Sequence, residues 1–204
     1  QEKDSRIKYL YNSTNKGSAF SRNLALQEAK GKWIAFLDSD DLWHPEKLEK
    51  QIEFMTRNDI HFSYTNYCEI DESSKEIGVL ISGPEVITNK LMRAYCWPGC
   101  LTVMYDAEFI GLMQTAEIKI NEEYALWIKI SSVANCHLLD ENLAKYRRHN
   151  NSLTDKSYLE LTKWHYIMFR VAEGKNIISS LLLTLGNLIF GTYKKIFFGK
   201  KYKI

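Results

Sequence analysis

The chain lacks the residue patterns that mark linkers, repeats and disulfide frameworks. Its 204 residues include three prolines and four cysteines, and the cysteines do not have the paired C-x-x-C spacing that zinc sites use. No internal repeat and no low-complexity segment is present. These absences exclude a repeat protein, a proline-rich linker and a small disulfide-bonded fold. The ordinary content of apolar and charged residues indicates one globular domain.

An export signal is also missing, because the first residues, beginning at Gln1, form neither a signal peptide nor an amphipathic transit segment. We therefore expect a cytoplasmic protein with free thiols, in a chain that is incomplete at its N-terminus. No run of the ~20 apolar residues that a membrane-spanning helix needs is present. The mostly apolar segment 177–190 is shorter than that and contains polar residues.

Basic residues are concentrated at the end of the chain. Residues 191–204 contain five lysines and no acidic residue, whereas the net charge of the whole chain is only +2. A neutral to acidic body with a basic tail argues against nucleic-acid binding. We predict instead that residues 176–204 include a helix that lies on an anionic membrane surface. The alternatives are that its leucine stripe packs on the domain or mediates oligomerisation.

The most informative stretch is an apolar run that ends in carboxylates. Residues 33–37 are all apolar and are followed at once by Asp38, Asp40 and Asp41. A run this short, entered through Gly31, predicts a strand buried on both faces. Ligands bind at the carboxyl ends of strands in open α/β sheets, and closely spaced carboxylates favour a bound cation. The stretch therefore predicts a divalent metal that holds a phosphorylated ligand.

The rest of the chain alternates between strand and helix patterns. Residues 7–11 predict a short edge strand, and the apolar positions of residues 20–29 have helical spacing. Further strands are predicted near residues 60–64, 77–81, 101–105, 136–139 and 143–146, and helices near 45–55, 91–95, 122–134 and 155–173. This order of elements indicates an α/β fold.

Six ordered segments carry a resemblance to one enzyme family. They read N-x-G-x-x-x-S-R-N at residues 15–23, AKGKWIAFLDSDDLW at 29–43, PEKLEKQ at 45–51, PGCLTVMY at 98–105, YALWIK at 124–129 and LAKYR at 143–147. The chain resembles the family 2 glycosyltransferases, and most of all the bacterial members that build surface polysaccharides such as O-antigen or capsule.

This resemblance implies an α/β, GT-A-like nucleotide-diphospho-sugar transferase fold, with a mixed, mainly parallel sheet flanked by helices. Residues 1–154 would form that domain without its first strand–helix–strand unit, so we expect the chain by itself to be inactive. Residues 155–204 would form a C-terminal helical extension associated with the membrane.

The resemblance also implies roles for residues around the acidic run. Asp38 and Asp40 would form a DXD motif that binds Mn²⁺ or Mg²⁺, with Asp38 also contacting the donor. Arg22 can pair with phosphate or with Asp38, and the alternative is an exposed helix arginine. The residues implied to bind the donor, which we expect to be a UDP-sugar, are Asn15, Gly17, Arg22, Asp38, Asp40 and Arg147.

The catalytic base departs from the family pattern. Family members carry an Asp in an E-D-Y or N-D-Y segment that opens a helix, whereas here the segment reads Asn121-Glu122-Glu123-Tyr124. Glu123 is therefore the implied base, and its extra methylene matters because a displacement of ~1 Å can cost on the order of 10²-fold in rate. The Q-x-x-R-W segment of processive members is missing, so we expect inverting, non-processive transfer.

Acceptor contacts are expected from Trp43, His44 and Trp97, although packing explains each of them as well. The expected acceptor is a glycan or lipid-linked glycan at the inner face of the bacterial plasma membrane. Two alternatives are a non-catalytic carbohydrate-binding or scaffolding relative, which Glu123 would suit, and a D-x-D phosphohydrolase. The latter wants Thr or Val where this chain has Leu42.

Overall fold

A mixed β-sheet flanked by helices forms the body of the protein. The structure is a computed structural model that describes residues 4–149 and 158–201. Its strands are β1 (Trp33–Ala35), β2 (Leu42–Trp43), β3 (Phe62–Ile70), β4 (Glu76–Ile81), β5 (Val86–Ile87), β6 (Met104–Asp106), β7 (Cys136–Arg147) and β8 (Gly199–Lys201). Its helices are α1 (Ser18–Glu28), α2 (Lys47–Arg57), α3 (Asn89–Ala94), α4 (Ala107–Ile110), α5 (Glu122–Ser131), α6 (Tyr158–Ile167) and α7 (Ile177–Phe197).

Strand β3 is the centre of the sheet. Strand β7 runs parallel to it along one edge, while β6 and β4 share its other edge in antiparallel pairing. Among the strands that the structure describes, β3–β7 is the only parallel pair, so the sheet is mixed as predicted but less parallel than predicted. The reason is local: Asp71 accepts hydrogen bonds from the backbone N–H groups of Ser73 and Lys75, and the resulting tight turn forces β3 and β4 into a hairpin.

Three strand predictions need correction. Residues 7–11 form no strand in the structure, since no described strand pairs with them, and Ile7, Tyr9 and Tyr11 are exposed. Strand β1 pairs only with β6 among the described strands, so it lies at a sheet edge and Leu37 is exposed rather than buried on both faces. Residues 100–102 form a 3₁₀ turn closed by Thr102 on the Gly99 carbonyl, and the strand begins only at Met104.

The main core lies where α5 packs on the sheet. Trp127 on α5 is buried and its ring contacts Phe36 and Phe62. The predicted helix over 122–134 is confirmed in its main part as α5, with Tyr124, Leu126, Ile128 and Ile130 all buried. All four cysteines are free, as expected.

The C-terminal helices pack on this same core. Helix α6 continues as a π-helix over Met168–Ala172, whose Met168 and Phe169 are buried in the core cluster, and the segment ends at Gly174 with φ 61°. The predicted start of the helix at Asp155 lies outside the described residues. After α7, strand β8 pairs with β4, so the described C-terminal segment is part of the packed structure. The division into two domains at residue 154 stays a prediction.

Candidate active site

The acidic end of β1 lies against the end of β7. Strand β2 pairs with β7, with Trp43 opposite Ala144, and this brings Asp40 and Asp41 next to Arg147. The Asp41 carboxylate accepts the backbone N–H of Arg147 at 2.9 Å, and the Arg147 Nε donates to the Asp40 carbonyl at 2.8 Å. The Arg147 guanidinium also donates to the Asp71 carbonyl at 2.9 Å. Arg147 therefore holds two loops together through their backbones.

Asp40 keeps its carboxylate at the surface. Its side chain is 47% exposed, and its Oδ2 lies 3.1 Å from Nε2 of His149. His149 is not among the site residues predicted from the sequence. The sequence feature that indicates this contact is the position of His149 just after β7, the strand that flanks the acidic loop.

Arg22 on α1 joins the two acidic parts of the site. Its Nη2 lies 2.8 Å from Oδ1 of Asp38 and 2.8 Å from Oε1 of Glu123, and its Nη1 lies 2.9 Å from Oε1 of Glu122. The structure thus shows the predicted Arg22–Asp38 pair, and Arg22, with its side chain only 16% exposed, is not an exposed helix arginine. Glu122, which also accepts the Ser18 hydroxyl, was missed from the sequence because its only signal was its place beside Glu123.

Burial dominates the electrostatics around this guanidinium. Burial raises the pKa of Glu123, Arg22 opposes that shift, and the nearby Glu122 and Asp38 add to it. Burial by itself would lower the pKa of Arg22, but the carboxylates of Glu123 and Asp38 raise it above its ordinary value. Arg22 is therefore a permanent cation beside a carboxylate with raised proton affinity.

A cysteine lies in the same cluster. Single ligand atoms of Asp38, Cys100 and Glu123 lie within 4.8 Å of one another. Burial raises the pKa of the Cys100 thiol well above its ordinary value, so it stays neutral. Because the Arg22 guanidinium already pairs with Oδ1 of Asp38 and with Oε1 of Glu123, and the thiol stays neutral, a cation held among these three residues does not fit well. Asp38 and Asp40, whose carboxylates are each about half exposed, offer the oxygen ligands that Mn²⁺ and Mg²⁺ prefer.

The loop before α1 owes its shape to Asn15 and Gly17. The Asn15 Oδ1 accepts the backbone N–H of Gly17 at 2.9 Å, which closes an Asx turn. Gly17 has φ 86°, a conformation that favours glycine, and it precedes the first residue of α1. These two residues therefore set the course of the loop that leads to Arg22.

The three expected acceptor residues differ in their access. Trp43 donates its indole N–H to the Leu101 carbonyl at 2.7 Å, and the Lys47 ammonium lies over its ring. His44 has a side chain that is 48% exposed. Trp97 is buried against Phe190 and Phe198, so the structure favours the packing interpretation and leaves no ring face for a sugar.

Structural comparison identifies the fold. The structure is similar to Staphylococcus aureus TarS 1–349 in complex with UDP-GlcNAc, with a TM-score of 0.61 at 16% identity over 87% of this chain and 54% of that chain. The architecture is therefore the GT-A fold of glycosyltransferases.

Sequence comparison adds the family. A family model described as Glycosyl transferase family 2 matches residues 1–103. The chain is 36% identical over 165 residues to the putative teichuronic acid biosynthesis glycosyltransferase TuaG of Bacillus subtilis, covering 80% of this chain and 66% of that relative. It is 35% identical over 199 residues to the Escherichia coli glucosyltransferase WfgD, covering 95% of this chain and 76% of that relative. The chain belongs to glycosyl transferase family 2, and it spans about two thirds to three quarters of these relatives and about half of TarS.

The pH dependence of protein stability tests the electrostatics of the site at Asp41. Burial raises the pKa of Asp41 to about 6 although the Arg147 N–H opposes the shift. The folded state thus binds a proton more tightly than the unfolded state, so stability falls as pH rises from ~4 to above 6. Asp41→Asn keeps the acceptor for Arg147 and removes the charge. We expect it to stabilise the protein by about 1–3 kcal/mol at pH 8 and to flatten this pH dependence.

Urea denaturation at pH 5 and pH 8 measures both effects. Asp106→Asn is the control with opposite sign. Burial raises the pKa of Asp106, but hydrogen bonds from His61 and two backbone N–H groups bring it below its ordinary value, so its loss should destabilise the protein at pH 8. Equal effects of the two substitutions would contradict the assignment.

Proposed function

We propose that the protein is an inverting, non-processive glycosyltransferase that moves a sugar from a UDP-sugar to a lipid-linked glycan in bacterial cell-surface polysaccharide synthesis. One observation carries the proposal: Arg22 joins Asp38, in the loop after β1, to Glu123, at the start of α5. A donor-side carboxylate and a candidate base are thus held within one site.

The names of the relatives support the choice of substrates. WfgD and WfaP of Escherichia coli are UDP-Glc:alpha-D-GlcNAc-diphosphoundecaprenol beta-1,3-glucosyltransferases, and WfaP is 39% identical to this chain over 165 residues. A UDP-sugar donor and a diphospholipid-linked acceptor are therefore the first pair to test. By this proposal the protein works from the cytoplasm at the inner face of the plasma membrane.

The donor side is assigned to the acidic loop and its supports. Asp38 and Asp40 would hold Mn²⁺ or Mg²⁺, which when bound neutralises the charge that develops on the leaving diphosphate. Asp38 would also contact the sugar or ribose of the donor. Asn15 and Gly17 shape the loop that admits the nucleotide, and Arg147 acts as a positioning residue because its side chain is bonded to the backbones of the acidic loop and the β3–β4 turn.

Glu123 is assigned the role of the catalytic base. The acceptor hydroxyl oxygen forms a bond to the anomeric carbon while the bond to the UDP oxygen breaks, and the hydroxyl proton passes to the Glu123 carboxylate. A displacement of this kind inverts the anomeric configuration and needs no second nucleophile. The raised pKa of Glu123 suits this role, because a carboxylate with higher proton affinity is a stronger base.

The competing function is a carbohydrate-binding or scaffolding relative without catalysis. A binding protein without catalysis could keep the ion pairs of Arg22 with Asp38 and Glu123. Both proteins would bind UDP-sugar, but only the enzyme would release UDP in the presence of acceptor. UDP binding without turnover across a panel of UDP-sugars would favour the binding protein.

Asp40→Asn tests the donor side in the natural full-length protein. The change keeps the shape of the side chain and removes one charge, so we expect UDP release to fall on the order of 10²–10³-fold. Calorimetry should also show weaker binding of Mn²⁺ in the presence of UDP. Asp59→Asn is the matched control, because the Asp59 side chain is 96% exposed and pairs with His61 rather than with a residue of the site. Unchanged Mn²⁺ binding and turnover in Asp40→Asn would refute the metal assignment.

A further inference from the structure

Helix α7 turns its apolar side outward. Eight of its apolar side chains are between 56% and 71% exposed: Ile177, Ile178, Leu181, Leu182, Leu185, Ile189, Ile196 and Phe197. A surface helix of a water-soluble domain normally buries such residues and exposes polar ones. A contiguous apolar stripe of this length marks a binding surface rather than scattered exposed residues.

The opposite side of α7 is polar and buried. Ser180, Thr184 and Asn187 are each at most 3% exposed. The Asn187 amide donates to the Tyr124 hydroxyl at 2.9 Å and to the Arg93 carbonyl at 3.1 Å, while Ser180 and Thr184 donate to carbonyls of their own helix. The helix is therefore attached to the domain by these polar residues together with Leu183 and Phe190, which pack on the core, and the apolar side chains named above remain exposed.

We propose that this face inserts into the headgroup region of an anionic bilayer, with α7 lying in the membrane plane. The charge of the segment favours lipid: residues 174–204 contain six lysines and no acidic residue, and five of these lysines are left once Lys194, which is bonded inside the domain, is set aside. Cations next to an inserted apolar stripe are the combination that binds anionic headgroups. At 21 residues, α7 is ~30 Å long, so it can present this stripe over several lipid headgroups.

The same contacts argue that α7 lies on the membrane rather than across it. Helix α7 is longer than the apolar segment identified in the sequence, and contrary to that prediction residues 177–194 are long and apolar enough to span a bilayer by composition, with a mean hydropathy of 1.3. A spanning arrangement would have to break the Asn187 bonds to Tyr124 and Arg93 and carry this amide into hydrocarbon, which is costly. Lys194 is likewise held inside the domain, since its ammonium donates to the Trp97 carbonyl at 2.7 Å.

This surface is joined directly to the proposed base. Tyr124, the partner of Asn187, is the residue after Glu123 on α5, and it also donates to the carbonyls of Met92 and Arg93. The bilayer plane and the Glu123 carboxylate are therefore held in one rigid arrangement. This part of the inference rests on the proposed function. The arrangement selects acceptors whose reactive hydroxyl is anchored close to the headgroups by a membrane lipid.

Vesicle co-sedimentation of the 204-residue chain tests the proposal. The probes are phosphatidylcholine vesicles with and without phosphatidylglycerol. We expect binding to the anionic vesicles, weakened by salt, and a loss on the order of 10²-fold in Leu182→Gln/Leu185→Gln, because each leucine contributes roughly tenfold when inserted. Leu48→Gln, an equally simple change at an exposed position of α2, should bind like wild type.

Two results would overturn the proposal. One is equal vesicle binding by the double variant and wild type. The other is sedimentation velocity showing a wild-type dimer that the double variant dissociates, which would mean that a second copy covers the face. Failure of the proposed function is seen separately, as no UDP release with a water-soluble acceptor analogue, and that result leaves vesicle binding unaffected.

Discussion

Glu123→Gln in the natural full-length protein is expected to lower the rate of sugar transfer on the order of 10²–10⁴-fold. Gln keeps the size of Glu and its oxygen can still accept a hydrogen bond from Arg22, so the site should stay in place. It cannot take the proton of the acceptor hydroxyl. We therefore expect kcat to fall while the dissociation constant for UDP is unchanged.

Three measurements define this result: kcat for UDP release, UDP binding by calorimetry, and the thermal midpoint. Glu108→Gln is the matched control, because the Glu108 side chain is 70% exposed on α4. Glu123→Asp restores the residue of the family pattern and should retain more activity than Gln, since it keeps a carboxylate. Wild-type kcat in Glu123→Gln would remove Glu123 from the mechanism.

The pH dependence of the rate carries further information on the same residue. Only the ionised carboxylate accepts a proton, so the rate should fall as pH is lowered. Burial raises the pKa of Glu123, so this fall should begin at a higher pH than for an ordinary glutamate. An acid limb that is the same in Glu123→Asp and in a variant without a carboxylate would contradict the assignment.

Arg22→Met is expected to destabilise the protein by about 3 kcal/mol or more at pH 8. Arg22 is the shared cation of three carboxylates, and the Glu122 side chain is only 6% exposed. Methionine fills the volume but leaves these charges unpaired. Removing a cation that lowers the pKa of Glu123 raises that pKa further, so the variant binds a proton more readily when folded. The loss of stability should therefore shrink as pH falls toward ~5.

Urea denaturation at pH 5 and pH 8 measures this loss. Arg57→Met is the matched control: Arg57 pairs with Glu53 on the surface of α2, and its side chain is 74% exposed. Its loss should cost less than about 0.5 kcal/mol at either pH. If the two arginines prove equally dispensable, the Arg22 cluster contributes nothing to the fold.

The sequence predicts the parts of this site that have a local pattern. The acidic loop is predicted by the five apolar residues and the carboxylates that come after them. Helix α5 is predicted by the helical spacing of its apolar residues. The site also depends on contacts between distant residues, such as Arg22 with Glu122, which no local period reveals. The pairing of β2 with β7, which brings Arg147 to Asp41, is equally non-local.

Two further features, the continuity of a strand and the burial of an aromatic ring, are not predicted correctly from the sequence. Residues 136–139 and 143–146 were predicted as separate strands, whereas β7 is continuous and only its register with β3 shifts near Asn66. Trp97 illustrates a second limit, because its aromatic ring suits a sugar platform and a core equally well. Only the position of α7 decides in favour of the core.

The pairing of β8 with β4 has a practical consequence for protein engineering. Removing residues 176–204 would strip β4 of β8, its outer antiparallel neighbour, and leave β4 as an open sheet edge, which is a template for aggregation. It would also uncover Trp97 and break the Asn187 bond to Tyr124. A shortened protein would therefore be a poorly behaved reagent, and solubility is better sought by substituting single outward-facing leucines of α7.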